Sequence, residues 1–279
     1  MIIDFHTHTF PDKIAAKAID KLSHEAHIVP FRDGTVNSLI TTAKAAGVDL
    51  SVILPVATSP EQVSHINDSA HMINTKESSL LSFACIHPDI EDYKKELHRI
   101  KELGFKGIKL HPVYQKTDID DVKFLRIINL AAELDLIVIT HAGLDVGFPG
   151  ETQSSPEKCK HVVDEIGNFK FVLAHMGGWR NWDRVLSLLA DSGVWIDTAF
   201  SCGKMHPLTD GYWSESDLDL LSPDKFMDMV KAFGPDKVLF GTDSPWSDQK
   251  ESLDFIRNLP LSDDDKNLIL GENARTLLK

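Results

Sequence analysis

The sequence predicts an α/β protein folded as a single (β/α)8 TIM barrel spanning residues 1–279. Three observations predict it. Eight short apolar runs are separated by longer amphipathic stretches. Most of the runs are apolar on both faces, as strands are when helices cover a parallel sheet. The unusual polar residues gather at the C-terminal ends of the runs, where a barrel places its reactive groups. An open doubly wound sheet is the alternative, but it usually needs fewer strands.

In chain order, the first strand is expected over Ile2–His8, the second over Val48–Val56, the third over Leu80–His87 and the fourth over Phe105–His111. The run LIVITH ends the fifth at His141, and FVLAH ends the sixth at His175. VWIDT ends the seventh at Thr198, and VLFGTD ends the eighth at Asp243. Helices are expected over Glu61–Thr75, Glu91–Leu103, Asp121–Leu134, Pro156–Ile166, Trp182–Asp191 and Pro223–Phe233. Ser155-Pro156 and Ser222-Pro223 each place a capping hydroxyl before a first-turn proline. The run Asp263–Asp265 after Ser262 reads as a helix first turn, favoured by the helix dipole. Two stretches, Pro11–Thr35 and Ser201–Ser222, exceed simple connections and read as substrate loops.

Composition narrows the function classes. The net charge of −13, from 42 acidic and 29 basic residues, disfavours a nucleic-acid backbone as partner. Three scattered cysteines without a CxxC argue against a disulfide framework and for a reducing compartment. No membrane-length apolar run and no basic segment leading an apolar one is present, so a cytoplasmic protein acting on a small molecule is expected.

The strand ends carry the chemistry. Period-two alternation puts His6 and His8 on one inward face, with Phe5 and Thr7 outward and Asp4 inward below them. Asp4 is placed to order a ligand histidine or to serve structure alone. Lys109 and His111 end the fourth strand, His141 the fifth, His175 the sixth and Asp243 the eighth. In a barrel these ends form one ring. An HxH pair alone is weak evidence among 13 histidines. Repetition of His or Asp after further apolar runs is stronger. Imidazoles and a carboxylate around one point suit a divalent transition metal, usually zinc.

The segments DFHTH, GIKLHP, THAG, AHMGG, GTDSPW and GENARTLL resemble, in order and over nearly the whole chain, the amidohydrolase-related family. More narrowly, they resemble the branch containing aminocarboxymuconate-semialdehyde decarboxylase-like enzymes. The resemblance implies a metal-dependent hydrolase-type barrel with one ion held by His6, His8, His141 and Asp243. It implies His175 as an acid/base beside it, with a homodimer as one arrangement. The KLHP context also resembles dihydroorotase segments in which a carboxylated lysine bridges two ions. Lys109 is therefore read three ways: carboxylated with a second ion at His175, charged and anchoring a substrate carboxylate or an inner acidic residue, or structural.

Asp243 and His175 are the expected catalytic residues. Lys109, His111, Trp179 and Trp246 are the expected substrate contacts. His87 is expected to pack near the mouth, Gly177-Gly178 to turn the chain after His175, and Arg32 to be a candidate anion grip. His206 and Trp213 lie in the second long loop with no rank. Hydrolysis of a carboxylated lactone, amide or ester is the first reading. Nonoxidative decarboxylation of an aromatic or unsaturated acid on the same ion is the second, and a non-catalytic binding barrel the third.

Overall fold

A computed structural model describes residues 1–279. Its strands are β1 (Ile3–Thr7), β2 (Leu50–Ile53), β3 (Leu80–Ser82), β4 (Ala84–Cys85), β5 (Gly107–Leu110), β6 (Ile137–Thr140), β7 (Phe171–Leu173), β8 (Trp195–Asp197) and β9 (Val238–Leu239). All pair in parallel, in the orders β1-β2-β3 and β4 to β9. The third expected strand is split at Phe83, whose N–H still donates to Ile53 O at 2.9 Å. The sheet closes where Phe5 N donates to Phe240 O (2.7 Å) and His8 N to Ser244 O (2.7 Å). The result is the eight-stranded (β/α)8 barrel.

The helices are α1 (Asp12–Ala26), α2 (Val36–Ala46), α3 (Val63–Lys76), α4 (Tyr93–Glu102), α5 (Val122–Glu133), α6 (Pro156–Ile166), α7 (Trp182–Leu189), α8 (Pro223–Phe233), α9 (Gln249–Asn258), α10 (Asp263–Asn267) and α11 (Asn273–Leu277). Ser155 and Ser222 cap α6 and α8 as expected, accepting from Lys158 N and Lys225 N. The acidic run forms the first turn of α10. No helix is long and apolar enough to cross a membrane.

Two expectations need correction. The first long stretch holds α1, whose Ala15, Ile19, Ser23 and Ala26 recur at helical spacing and are buried. The second stretch folds back onto it: Val29 N donates to His206 O, Leu208 N to His27 O and Trp213 Nε1 to Ala26 O. Trp213 thus anchors the loop to α1.

The other correction concerns β1. Its register against β2 slips between Asp4 and Thr7, a β-bulge. Ile3 and Phe5 therefore point inward, packing with Val52, Leu54, Ile139, Val172 and Leu239 from strands around the ring. Asp4 points outward instead, accepting from Thr242 N and Oγ1 and from Gln249 Nε2 of α9. One extra residue reverses the alternation, so His6 and His8 reach the mouth although Phe5 also faces in.

Below the mouth, α11 plugs the barrel. Ala274 and Leu277 join the inner apolar cluster, and Asn273 Nδ2 donates to Pro235 O and Val238 O.

At the rim, Gly143 has φ +85°, and a Cβ there would stand 2.2 Å from Trp179 N. Gly143→Ala is expected to cost about 2–4 kcal/mol by combining left-handed strain with a backbone clash. A fall in Tm or in denaturant midpoint checks it.

Candidate metal centre

The mouth is assembled from strand ends with unusual backbones. His175 and Asp243 lie at φ 61° and 65°, the left-handed region that non-glycine residues seldom adopt. Asp243 is pinned there by its N–H to His6 O (2.8 Å), and Met176 N beside His175 donates to Asp197 O (2.6 Å). Gly177, φ +81°, continues the same turn, as expected of the Gly177-Gly178 pair.

His6, His8 and Asp243 converge. His6 Nε2 lies 3.1 Å from His8 Nε2 and 3.2 Å from Asp243 Oδ1, and His8 Nε2 lies 3.1 Å from the same oxygen. The far nitrogens fix the tautomers. His6 Nδ1 meets the Asp197 carboxylate at 2.7 Å, and His8 Nδ1 meets Leu54 O at 2.8 Å. Both are acceptors, so both Nδ1 atoms carry the proton and both Nε2 atoms present lone pairs. Two lone pairs and a carboxylate oxygen cannot satisfy one another by hydrogen bonds. A cation can satisfy all three, and donors about 2.1 Å from one ion stand about 3.4 Å apart at a tetrahedral angle. The donor set fits a divalent metal.

His141 does not join this trio. Its Nε2 donates to Leu144 O at 3.1 Å, and its Nδ1 lies 3.0 Å from His175 Nε2. His175 Nδ1 in turn donates to Ala199 O at 2.9 Å. A second pair of facing lone pairs results, one imidazole away from the first, since the His6 and His175 rings are 5.2 Å apart.

Burial holds His6, His141 and His175 below the usual imidazole pKa, which keeps their lone pairs free. Burial also opposes the charge on Asp243. Contact with the His8, His6 and His175 imidazoles outweighs it, leaving that carboxyl at about 2. Lys109 Nζ lies 3.3 Å from His6 Nε2, and burial lowers its ammonium to about 8 despite Asp197, Asp243 and Asp145 nearby.

Two acidic residues were missed by sequence reasoning. Asp197 is fully buried and, besides His6, accepts from His175 N (2.9 Å) and Ala199 N (3.1 Å). It therefore orients both histidine-bearing segments. Its signal was present: a lone acid in VWIDT, inward by alternation from Trp195. Asp145 carried no such signal. It follows β6 in a loop, and its Oδ2 lies 3.7 Å from both His111 Nε2 and His141 Nε2. Burial raises its carboxyl to about 6.

The expected substrate contacts Lys109, His111, Trp179 and Trp246 all line the cavity above the centre. His111 is stacked between Tyr114 and His141 at 4.0 and 4.4 Å between ring centroids. Arg32 is not among the lining residues, because it is committed to Asp248 at 2.6 Å. His87 and His206 also lie outside the cavity.

No curated protein matches the sequence. Among solved structures, an uncharacterised TIM-barrel protein from Bordetella bronchiseptica superposes with TM-score 0.76 at 17% identity, covering 99% of this chain and 98% of that one. A dihydroxybenzoic acid decarboxylase from Polaromonas with bound manganese and 2-nitroresorcinol gives 0.67 at 14%, covering 99% and 96%. A probable 2-pyrone-4,6-dicarboxylic acid hydrolase from Acinetobacter baumannii, with citric acid bound, gives 0.64 at 18%, covering 99% and 98%. At these identities the likeness shows the fold. The family model for amidohydrolases matches residues 3–279, and the chain belongs to that family.

Proposed function

We propose that the chain is a metal-dependent hydrolase acting on a small carboxylated lactone, amide or ester. The observation that carries this is the convergence of two tautomer-locked imidazole lone pairs and one carboxylate at the barrel mouth. His6, His8 and Asp243 would hold the ion, with His141 completing the set by a turn of its ring. Only in the alternative with a carboxylated Lys109 would His141 and His175 hold a second ion in place of these roles. When bound, a divalent ion supplies Lewis acidity, polarising a carbonyl and acidifying water; zinc is the default and manganese the competitor.

The chain's own residues do the rest. Asp243 is ionised and takes a proton at the carboxylate oxygen not committed to the ion. His175 holds its Nδ1 proton on Ala199 O, so its Nε2 is the atom that accepts and returns one. Lys109 Nζ lies 3.3 Å from His6 Nε2 at the cavity floor, where its ammonium grips the substrate carboxylate. Trp179 and Trp246 narrow the mouth with rigid apolar surface.

Decarboxylation is the second reading, favoured by Lys109 as a buried cation facing the centre and by the decarboxylase neighbour. A panel of carboxylated lactones, esters and amides beside aromatic acids, with CO₂ release monitored, tests the choice. Ring or ester opening without CO₂ is expected. Release of CO₂ with no hydrolysis would move the assignment to the carboxy-lyase reading.

The Lys109 role has its own pH signature. The ammonium is present below about 8 and lost as pH rises through that value. A dication held beside it by His6 pushes the value lower still, so kcat/KM is expected to fall on an alkaline limb below about pH 8, and Lys109→Met to lose that limb. A rate that climbs with added bicarbonate, with a CO₂ adduct on the intact protein mass, would instead assign Lys109 as carboxylated.

A further inference from the structure

The cavity at the mouth does not end there. Its volume is about 1090 Å³, at the top of the roughly 300–1,000 Å³ range of small-molecule pockets and more than a one-ring acid needs. It continues sideways into the helical ring. There it runs between α2 and α3, both of which line it. A trough runs through that gap, floored by Ile53 and Leu54 of the second barrel strand and its end.

The trough has three helical walls. α3 contributes one face along its whole length: Ile66, Ala70 and Ile73 fall at helical spacing and all line the cavity. α2 contributes Val36 and Ile40. α1 contributes Ile14, Ala18 and Leu22, a face about a quarter-turn from its buried stripe. The outer lip carries Ile14 and Met72, 51% and 52% exposed. Polar side chains flank the apolar stripe, with His65, Ser69, Lys76 and Glu77 beside it on and after α3.

We propose that this trough binds an unbranched aliphatic chain whose carboxyl-derived head sits at the metal centre. The substrate class becomes an acyl compound with a medium-length apolar tail. The assignment rests on the proposed function for the position of the head. Continuity argues for this occupant: the same cavity is lined by His6, His8, Lys109 and Asp243 at one end and by the α3 face at the other. A chain anchored at the centre can extend from the mouth into the trough, and each methylene placed there leaves water.

The test is titration of metal-loaded full-length protein with butyrate, octanoate and dodecanoate by calorimetry. Affinity is expected to rise about tenfold or more from butyrate to octanoate. Ile66→Glu on α3 and Ala18→Trp on α1 obstruct the trough from opposite walls. Each is expected to flatten the chain-length dependence while leaving butyrate affinity and metal content unchanged. Equal affinity for all three acids would overturn the proposal, as would a dependence that survives in both folded variants. Sedimentation velocity separates the rival occupant. A wild-type dimer that Ile66→Glu dissociates, with no chain-length effect, would give the trough to a second copy. Octanoate and octanol compared on metal-loaded and metal-stripped protein separate the two readings: a chain-length dependence that persists with no preference for the acid even when metal is bound sinks the head position and keeps the trough.

Discussion

Asp243→Asn is expected to lower kcat/KM by about 10³-fold or more while leaving the fold intact. Two losses combine. The amide cannot take a proton at the position where the carboxylate does. It also presents a neutral oxygen to the cation, weakening a site built from two imidazoles and one charge. The side chain is mostly enclosed but contacts only the histidines at the mouth, so the barrel below does not depend on it. The backbone bond from Asp243 N to His6 O is unaffected by the change. Unaltered circular dichroism with turnover lost is the expected pair of results. Full activity in the variant would remove Asp243 from the chemistry.

Asp197→Ala is expected to weaken metal binding by about 10–100-fold although Asp197 does not face the ion. The carboxylate holds His6 Nδ1 at 2.7 Å and the His175 and Ala199 amides at about 3 Å. Its removal frees His6 to exchange tautomers and turn. It also leaves three buried donors without a partner, at a cost on the order of 3–5 kcal/mol in stability. Burial raises the Asp197 carboxyl, and the neighbouring His175 and its amide oppose that rise. Competition with a calibrated chelator measures the affinity. Asp197→Asn, which keeps an acceptor for Nδ1, should recover part of it. A purely structural role would destabilise the fold without this rescue in metal affinity.

The sequence made the barrel legible because parallel strands covered on both faces leave a simple mark, an apolar run ending in a polar residue. Eight such runs located all eight staves, though most are shorter than expected because their ends splay into the mouth. What it hid follows from physics that acts between distant segments. The β1 bulge depends on the register of β2 and β9, so alternation alone placed Phe5 and Asp4 on the wrong faces. Helix α1 was hidden because its buried stripe is made of small residues, Ala15, Ser23 and Ala26, around one Ile19. In the site, the residues at strand ends were legible, and those after the ends were not. Asp145 lies beyond β6, where no period constrains it. Arg32 was offered as an anion grip on charge alone, and its partner Asp248 is 216 positions away. The pairing of His141 with His175 rather than with His6 depends on which ring nitrogen each backbone carbonyl holds.

The central claim is that His6, His8 and Asp243 hold one cation between them. Anomalous diffraction from a crystal grown with zinc or manganese, collected on both sides of the metal edge, tests it most directly. A peak about 2.0–2.3 Å from His6 Nε2, His8 Nε2 and an Asp243 oxygen is expected. Clear density with no anomalous peak between those three atoms, in protein that turns over substrate, would contradict it.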